Sequence, residues 1–230
     1  MNTSLLSPLQ ADILAAFFRR EQRFFLTGGA ALAGFHLGHR RTADLDLFTT
    51  QDELGATGDL DSGDVALKAA AQEIGASVEN IQTSPEFRRR LVKRGDDRVV
   101  VDLVLERAVQ VRPEKQLIGG IRVDVPEEIL ANKLCTLLSR SEPRDLVDVH
   151  ALKQYGLSVE AALPLAARKD GGLTPASLAW VLSQIEIPDD ARVPGGISSA
   201  ELRAFVEELI SLLTRLAHPG KKNRQGDPGL

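Results

Sequence analysis

The chain has few of the sequence features that are typical of membrane, secreted or disulfide-rich proteins. It has one cysteine, Cys135, among 230 residues, which excludes an internal disulfide and a cysteine-rich zinc site. No stretch approaches the roughly 20 apolar residues of a membrane span, and no basic segment followed by an apolar core opens the chain. These features predict a cytoplasmic protein.

Aromatic residues and net charge are also low. Aromatic residues make up 4% of the chain, and the formal net charge is −4. Any nucleic-acid binding must therefore come from a local basic patch rather than from global charge. His36, His39 and His150 do not show zinc-ligand spacing, so no zinc site is predicted.

The most informative stretch spans residues 24–48 and reads FFLTGGAALAGFHLGHRRTADLDLF. An apolar β-prone run leads to Gly28-Gly29, a small-residue helix, a basic turn, and a strand that carries Asp44 and Asp46. Alternation along a strand puts both carboxylates on one face, where a divalent cation would offset their repulsion. Glycines at a strand-to-helix junction let the backbone approach a phosphate closely. The stretch thus predicts a site for a nucleoside triphosphate.

A third acid, Asp102, interrupts the apolar run RVVVDLVL. A buried carboxylate needs a metal, a hydrogen-bond network or a cation, so a structural pair with an arginine is the alternative to a metal site. The preceding run FRRRLVKR is predicted to form a hairpin with this strand. Its cations would contact the phosphates of a nucleic-acid acceptor, or else form a solvated face. They are Arg88, Arg89, Arg90, Lys93, Arg94 and Arg98.

A second constellation has the spacing K-x6-R-x3-RD-x2-D and consists of Lys133, Arg140, Arg144, Asp145 and Asp148. Lys133 is predicted to lie on a helix surface, on the same face as Arg140, where it would neutralise a triphosphate. Arg144 and Asp148 are one helical turn apart and can pair, and Asp148 can orient Arg144 or Lys133. Ordinary surface ion pairs on two amphipathic helices are the alternative interpretation.

Together these motifs resemble a known family. Gly-Gly followed by Asp-Leu-Asp resembles the signature of the polymerase-beta-like nucleotidyltransferases. The finer pattern of GGAAL, HRRTADLDLF and the second constellation resembles the AbiEii/AbiGii-type nucleotidyltransferase toxins of bacterial toxin–antitoxin systems. The resemblance covers about residues 24–152, with Thr42 standing where serine is often found.

The resemblance implies an α+β fold. Residues 1–125 would form the nucleotidyltransferase lobe, a mixed β-sheet flanked by helices, and residues 126–217 a helical lobe that completes the active site. The polar residues 218–230 are predicted to be a disordered tail.

The resemblance also implies roles for individual residues. The implied catalytic residues are Asp44, Asp46, Asp102, Lys133 and Asp148. The implied ligands of Mg²⁺ are Asp44, Asp46 and Asp102. The implied triphosphate-binding residues are Gly28, Gly29, Arg41, Thr42, Lys133, Arg140 and Arg144.

The implied function is Mg²⁺-dependent transfer of a nucleoside monophosphate from an NTP to an RNA acceptor, the 3′ end of tRNA, which blocks translation and arrests growth. A cognate antitoxin would be the partner, and neither DNA nor a membrane is expected. Two alternatives remain: transfer to a small molecule such as an antibiotic or to a protein side chain, and a non-catalytic module that binds nucleotide or RNA.

Overall fold

The computed structural model describes residues 5–56, 58–140 and 142–218. The predicted disordered tail lies outside these residues, except for His218. Within the described residues, no helix combines the length and apolar content needed to cross a membrane.

In the part of the chain that the structure describes, seven strands form one mixed sheet, and all of them precede residue 125. Their order across the sheet is β3-β4-β5-β2-β1-β7-β6. The β2–β5 and β1–β7 pairs are parallel and the other neighbours are antiparallel. The strands are β1 (Phe25–Thr27), β2 (Asp44–Thr50), β3 (Ser77–Thr83), β4 (Phe87–Arg94), β5 (Asp97–Glu106), β6 (Lys115–Ile118) and β7 (Ile121–Asp124).

Helices flank the sheet and make up the region after β7. A π-helical turn, Leu32–His36, continues α2, and a short 3₁₀ turn, Pro194–Gly196, precedes the last helix. The α-helices are α1 (Pro8–Phe18), α2 (Gly28–Ala31), α3 (Gln51–Leu54), α4 (Asp61–Glu73), α5 (Pro126–Ser139), α6 (Pro143–Gln154), α7 (Val159–Lys169), α8 (Pro175–Leu182) and α9 (Ser199–Ala217). This architecture confirms the predicted α+β fold, with a helical C-terminal region.

Local sequence signals account for several of the helix starts. Ser7 caps α1, because its hydroxyl accepts the Gln10 N–H at 3.2 Å while the Gln10 side chain accepts the Ser7 N–H at 2.8 Å. Proline occupies the first turn of α1, α5, α6 and α8, where its missing N–H costs nothing. These signals fix where the helices begin, and tertiary packing fixes where they lie.

The hydrophobic core extends among the C-terminal helices, and one part of it lies on the face of the sheet that packs against α1 and α4. Alternating residues of β2 and β5 supply that face, and Leu45, Leu47, Val101 and Leu103 are almost fully buried there. The opposite face of the same two strands is therefore left for polar side chains. The candidate site is on that opposite face.

Candidate active site

The acidic pair lies on β2 at the centre of the sheet. Asp44 and Asp46 are partly exposed, whereas Leu45 and Leu47 between and after them are buried. The strand thus alternates as the sequence predicts, and the two carboxylates point to the same face.

Asp102 lies on the neighbouring strand, β5. Because β2 and β5 are parallel and Asp46 pairs in register with Asp102, both side chains are on the same face of the sheet. The three acids line one small polar cleft of about 90 Å³. The other side chains of this cleft are all cationic, and the complete lining is Gly29, Arg40, Asp44, Asp46, Arg89, Asp102, Lys133, Arg140 and Arg144.

Both oxygens of Asp102 are occupied by Arg89 on β4. The Arg89 Nε donates to Oδ1 at 2.8 Å, and its terminal nitrogen donates to Oδ2 at 2.7 Å. The arginine pair that the sequence left open as an alternative is thus present within the acidic cleft itself. Among the described residues, no three His, Cys, Asp or Glu side chains stand together as a ready metal site.

The environment of the cleft strongly shifts the protonation equilibrium of the Asp46 carboxyl. Its pKa is raised to about 7, first by desolvation and then by the negative charges of Asp44 and Asp102, against the opposing effect of Lys133. A carboxyl in this state binds a proton near neutral pH unless a cation enters. Desolvation and the neighbouring carboxylates thus disfavour the ionised form of Asp46, despite the cations of the cleft.

The Gly28-Gly29 turn lies directly against the acidic strand. Gly28 has a φ of +63°, in the left-handed region, and a Cβ at this position would collide with the Asp46 carboxylate. A Cβ at Gly29 would lie 2.7 Å from the Arg40 guanidinium. Position 28 therefore requires glycine, whereas a Cβ at Gly29 would mainly displace the end of the Arg40 side chain.

The two predicted binding residues before the acidic pair differ in their placement. The Thr42 hydroxyl donates to Asp44 Oδ1 at 2.8 Å and so fixes that carboxylate. Arg41 is exposed and is not among the residues that line the cleft, so the structure does not bring its side chain to the acids.

Lys133 is buried, and the prediction that it lies on a helix surface is wrong. Its ammonium group lies 2.7 Å from Asp145 Oδ1 and 2.6 Å from Asp148 Oδ2, and its side chain is 9% exposed. The two acids come from α6, the next helix, which packs against α5. Lys133 nevertheless lines the cleft, so its ammonium group both forms buried ion pairs and is accessible to a ligand.

Asp148 is fully buried and contacts cations from distant parts of the chain. Its carboxylate accepts from Arg40 Nε at 2.6 Å and a terminal nitrogen of Arg40 at 2.8 Å, and it lies 2.7 Å from His39 Nε2. These hydrogen bonds and the charge of Lys133 outweigh the opposing effect of burial and hold its pKa well below the usual range. Asp148 is not among the residues that line the cleft, so it can only position groups that are.

The predicted pair between Arg144 and Asp148 does not form. Arg144 Nε instead lies 2.7 Å from Glu142, and its terminal nitrogen lies 3.8 Å from Asp44. Asp148 is already saturated by buried cations, so Arg144 turns toward the open side of the cleft. There it adds positive charge beside the acidic pair.

A second cavity of about 650 Å³ adjoins the cleft and shares three side chains with it, Asp46, Lys133 and Arg140. Its walls combine apolar and hydrogen-bonding groups from β2, α5 and the end of α7, among them Phe48, Ile129, Asn132, Thr136 and Asp170. A volume of this size suits a small-molecule ligand. The sequence motifs did not identify this cavity, because most of its walls carry no motif.

Two charged residues of the motifs were given no role in the site from sequence. Arg40 holds Asp148, and Asp145 holds Lys133 and accepts Arg140 Nε at 3.1 Å. Both lie inside the motifs, in HRRT and RD, so the motifs themselves carried the signal. Their partners could not be assigned without knowing which helices pack together.

The basic hairpin does not present a dense positive surface. Alternation along β4 puts Arg88, Arg90 and Arg94 on the face covered by α1 and α4, opposite to Arg89. There Arg90 is 1% exposed and donates to Asp64 at 2.6 Å, Arg88 pairs with Asp61 at 2.5 Å, and Arg94 pairs with Asp12 at 2.7 Å. The hypothesis that this run contacts an acceptor is therefore wrong for Arg90, which is buried, and for Arg88, whose side chain is 12% exposed, whereas Arg94 forms a partly exposed pair at the surface.

Comparison with known proteins identifies the family. The family model described as "Nucleotidyl transferase AbiEii toxin, Type IV TA system" matches residues 12–220. The chain belongs to the AbiEii family. It is thus a nucleotidyltransferase of a toxin–antitoxin toxin family, and AbiEii membership implies a nucleotide substrate and a cognate antitoxin.

Solved structures share the AbiEii fold. JHP933 from Helicobacter pylori is 23% identical with a TM-score of 0.54, over 92% of this chain and 93% of that one. A second H. pylori structure, provisionally described as a nucleotidyltransferase, is 19% identical with a TM-score of 0.55, over 94% of this chain and 99% of that one. At these identities the likeness shows the fold alone. No curated protein sequence matches the chain at a significant level.

Proposed function

We propose that this AbiEii protein transfers a nucleoside monophosphate from an NTP to the 3′ end of an RNA, with tRNA as the acceptor, and thereby blocks translation and arrests growth. The observation that supports this most is that two cavities share wall residues. An acidic cleft with three carboxylates and a cavity large enough for a nucleoside have Asp46, Lys133 and Arg140 in common. The reaction would take place at their junction, beside Asp46.

The carboxylates fit a divalent cation by their chemistry. Asp44, Asp46 and Asp102 offer hard oxygen ligands, which Mg²⁺ prefers, and desolvation together with the charges of Asp44 and Asp102 raises the pKa of Asp46, so a bound cation would be favoured there. These three residues would hold Mg²⁺, with Asp102 joining once Arg89 moves. When bound, the ion supplies positive charge to the transferred phosphoryl group and the leaving pyrophosphate.

The cations of the cleft would bind the triphosphate. An ammonium group has three N–H donors, and Lys133 uses two of them for Asp145 and Asp148. Among the described residues, no acceptor pairs with the third, which would donate to a phosphate oxygen in the cleft that Lys133 lines. Arg140 and Arg144, whose side chains are 48% and 41% exposed, would contact phosphates from the open side.

The glycine turn and Thr42 would orient these partners. The absence of a Cβ at Gly28 lets the backbone approach phosphate oxygens without displacing Asp46. Thr42 keeps one oxygen of Asp44 fixed through its hydroxyl and leaves the other free. Asp148 would act by position only, since it holds Lys133 and Arg40 in place.

The chemical step would join the acceptor hydroxyl oxygen to the α-phosphorus while the bond to the β-phosphate oxygen breaks. Asp102 would accept the proton of that hydroxyl as pyrophosphate leaves. Its position beside Asp46, on the adjacent strand, supports this role. The nucleoside would occupy the larger cavity, where Phe48 and Ile129 offer apolar contact and Asn132 and Thr136 offer hydrogen bonds.

The test incubates the protein with each labelled NTP and total RNA, with Mg²⁺, and follows both label transfer and pyrophosphate release. We expect one or more NTPs to label small RNAs at the 3′ end, and the Asp46→Asn variant to label none. Label on protein or on an added aminoglycoside, but not on RNA, would contradict the choice of acceptor. Binding of NTP and RNA with no pyrophosphate release under any condition would indicate a non-catalytic module.

A further inference from the structure

The Arg89–Asp102 pair stands apart from the other ion pairs of the site. Of the cations that the structure describes, only Arg89 donates hydrogen bonds to one of the three cleft carboxylates. Lys133 and Arg40 are directed to Asp148, and the terminal nitrogen of Arg144 comes no closer than 3.8 Å to Asp44. Arg89 is therefore the internal counter-ion of the acids.

The two partners differ sharply in their freedom to move. The Asp102 side chain is 7% exposed and belongs to a strand at the centre of the sheet, whereas the Arg89 side chain is 43% exposed. Withdrawal of Arg89 would therefore leave no cavity, and it would uncover both carboxylate oxygens. The guanidinium also lies 5.4 Å from the centre of the Phe87 ring, on the same face of β4, where a released guanidinium can rest.

A divalent cation and Arg89 compete for the same place. The carboxylates of Asp102, Asp44 and Asp46 all favour the charge on Arg89 and raise its pKa. A dication among these acids would remove that favourable field and repel the guanidinium at close range. Arg89 and a dication cannot both bind Asp102 fully, so binding of the dication weakens the hydrogen bonds from Arg89, and these hydrogen bonds weaken dication binding.

A displaced Arg89 stays at the rim of the cleft, where the substrates must pass. Its planar donor fork matches phosphate oxygens as well as it matches a carboxylate. On the basis of the proposed transfer reaction, we infer that Arg89 is a positioning residue that exchanges Asp102 for a substrate phosphate. It would cap Asp102 in the empty protein and contact a phosphate of the NTP or of the RNA in the loaded one.

The first test measures Mn²⁺ binding to the substrate-free protein by electron paramagnetic resonance of the free ion. Arg89→Gln should bind Mn²⁺ about three- to tenfold more tightly than wild type, because a competing charge close to the acids is gone. Arg89→Lys, which keeps the charge and loses the fork, should lie between them. Arg19→Gln removes another exposed arginine charge, which pairs with Glu73 far from the acids in the sequence, and it should match wild type.

A double variant shows whether the effect runs through Asp102. With Asp102→Asn in place, Arg89→Gln should no longer tighten Mn²⁺ binding. Equal or weaker Mn²⁺ affinity in Arg89→Gln than in wild type would overturn the inference. Melting temperatures of all variants, measured alongside, show that each is folded at the assay temperature.

The second test separates the two sources of phosphate. The KM of Arg89→Gln should rise for the NTP if Arg89 contacts the triphosphate, and for the RNA if it contacts the acceptor, with partial rescue by Arg89→Lys. An unchanged KM for both would overturn the exchange. Failure of the proposed function is distinct, since it would appear as no nucleotide transfer by wild type; wild-type transfer with unaltered Mn²⁺ binding in Arg89→Gln would overturn this inference alone.

Discussion

Replacement of Asp46 by asparagine should stabilise the substrate-free protein at alkaline pH while it abolishes nucleotide transfer. The side chain keeps its shape and loses only its ability to ionise. In the wild-type protein, ionised Asp46 lies beside Asp44 and Asp102 in a desolvated cleft, which raises its pKa to about 7. The unfolded chain has no such penalty, so the charge costs stability only in the folded state.

The direction of the pH dependence follows from the two pKa values. Asp46 is neutral in the folded protein up to about pH 7 but ionised in the unfolded chain above its ordinary value of 3.8. Unfolding in this window releases a proton, so the wild type loses stability as the pH rises from about 4 to beyond 7. Asp46→Asn lacks this loss, and the two proteins should diverge progressively across that range.

The magnitude has a ceiling set by the same values. At roughly 1.4 kcal/mol per pH unit, a rise of the Asp46 pKa from 3.8 to about 7 corresponds to about 4 kcal/mol. Because Asp46 is only partly enclosed, water in the cleft screens its charge, and we expect about 1–2 kcal/mol. For a chain of this size that is a rise of about 3–6 °C in melting temperature at pH 8.

The assay is thermal or urea unfolding at constant ionic strength between pH 4 and 9. Asp96→Asn, which removes an exposed carboxylate in the turn between β4 and β5, is the matched control and should show no such divergence. Addition of Mg²⁺ should stabilise wild type and leave Asp46→Asn nearly unchanged. Parallel pH profiles for wild type and Asp46→Asn would refute the electrostatic account of the cleft.

Further predictions concern the residues that surround the acids. Lys133→Ala should destabilise the fold by about 2 kcal/mol, because Asp145 and Asp148 each lose one charged hydrogen-bond partner while Arg140 and Arg40 remain, and urea unfolding measures this directly. Arg90→Ser should cost a similar amount, because the buried Arg90–Asp64 ion pair is lost and, among the described residues, only Lys68 still donates to Asp64, whereas RNA binding per folded molecule should not change. Gly28→Ala should reduce nucleotide transfer far more than the roughly 1–2 kcal/mol it costs in stability, since the new Cβ displaces Asp46; unchanged turnover would contradict the close approach.

The sequence predicts those parts of the site that depend on local geometry. The same-face placement of Asp44 and Asp46 needs only the two-residue period of a strand. The glycine turn needs only the rule that a left-handed φ and a close approach exclude other residues. Both features lie within 25 residues of one another, so no knowledge of long-range packing enters.

The errors come from partners that are distant in the chain. Alternation along β4 places Arg89 on the opposite face of the strand from Arg88 and Arg90, but it does not indicate which face the helices cover. That depends on α4, whose Asp64 lies 26 residues before Arg90. From sequence alone, this run of cations is therefore interpreted as an exposed basic surface, although Arg88 and Arg90 form ion pairs within the fold.

Lys133 and Asp148 show why function and stability cannot be separated at this site. Asp148 lies 109 residues from His39 and 108 from Arg40, and it ties the segment before the acidic strand to the helix that follows Lys133. Its attraction to these cations outweighs the cost of its desolvation, so the carboxylate stays ionised in the folded protein. Asp148 thereby fixes the positions of Lys133 and Arg40. Lys133 uses two of its three donors for Asp145 and Asp148, and the Arg40 guanidinium lies next to Gly29. The position of the cations at the candidate phosphate site is therefore set by an acid that no substrate would touch.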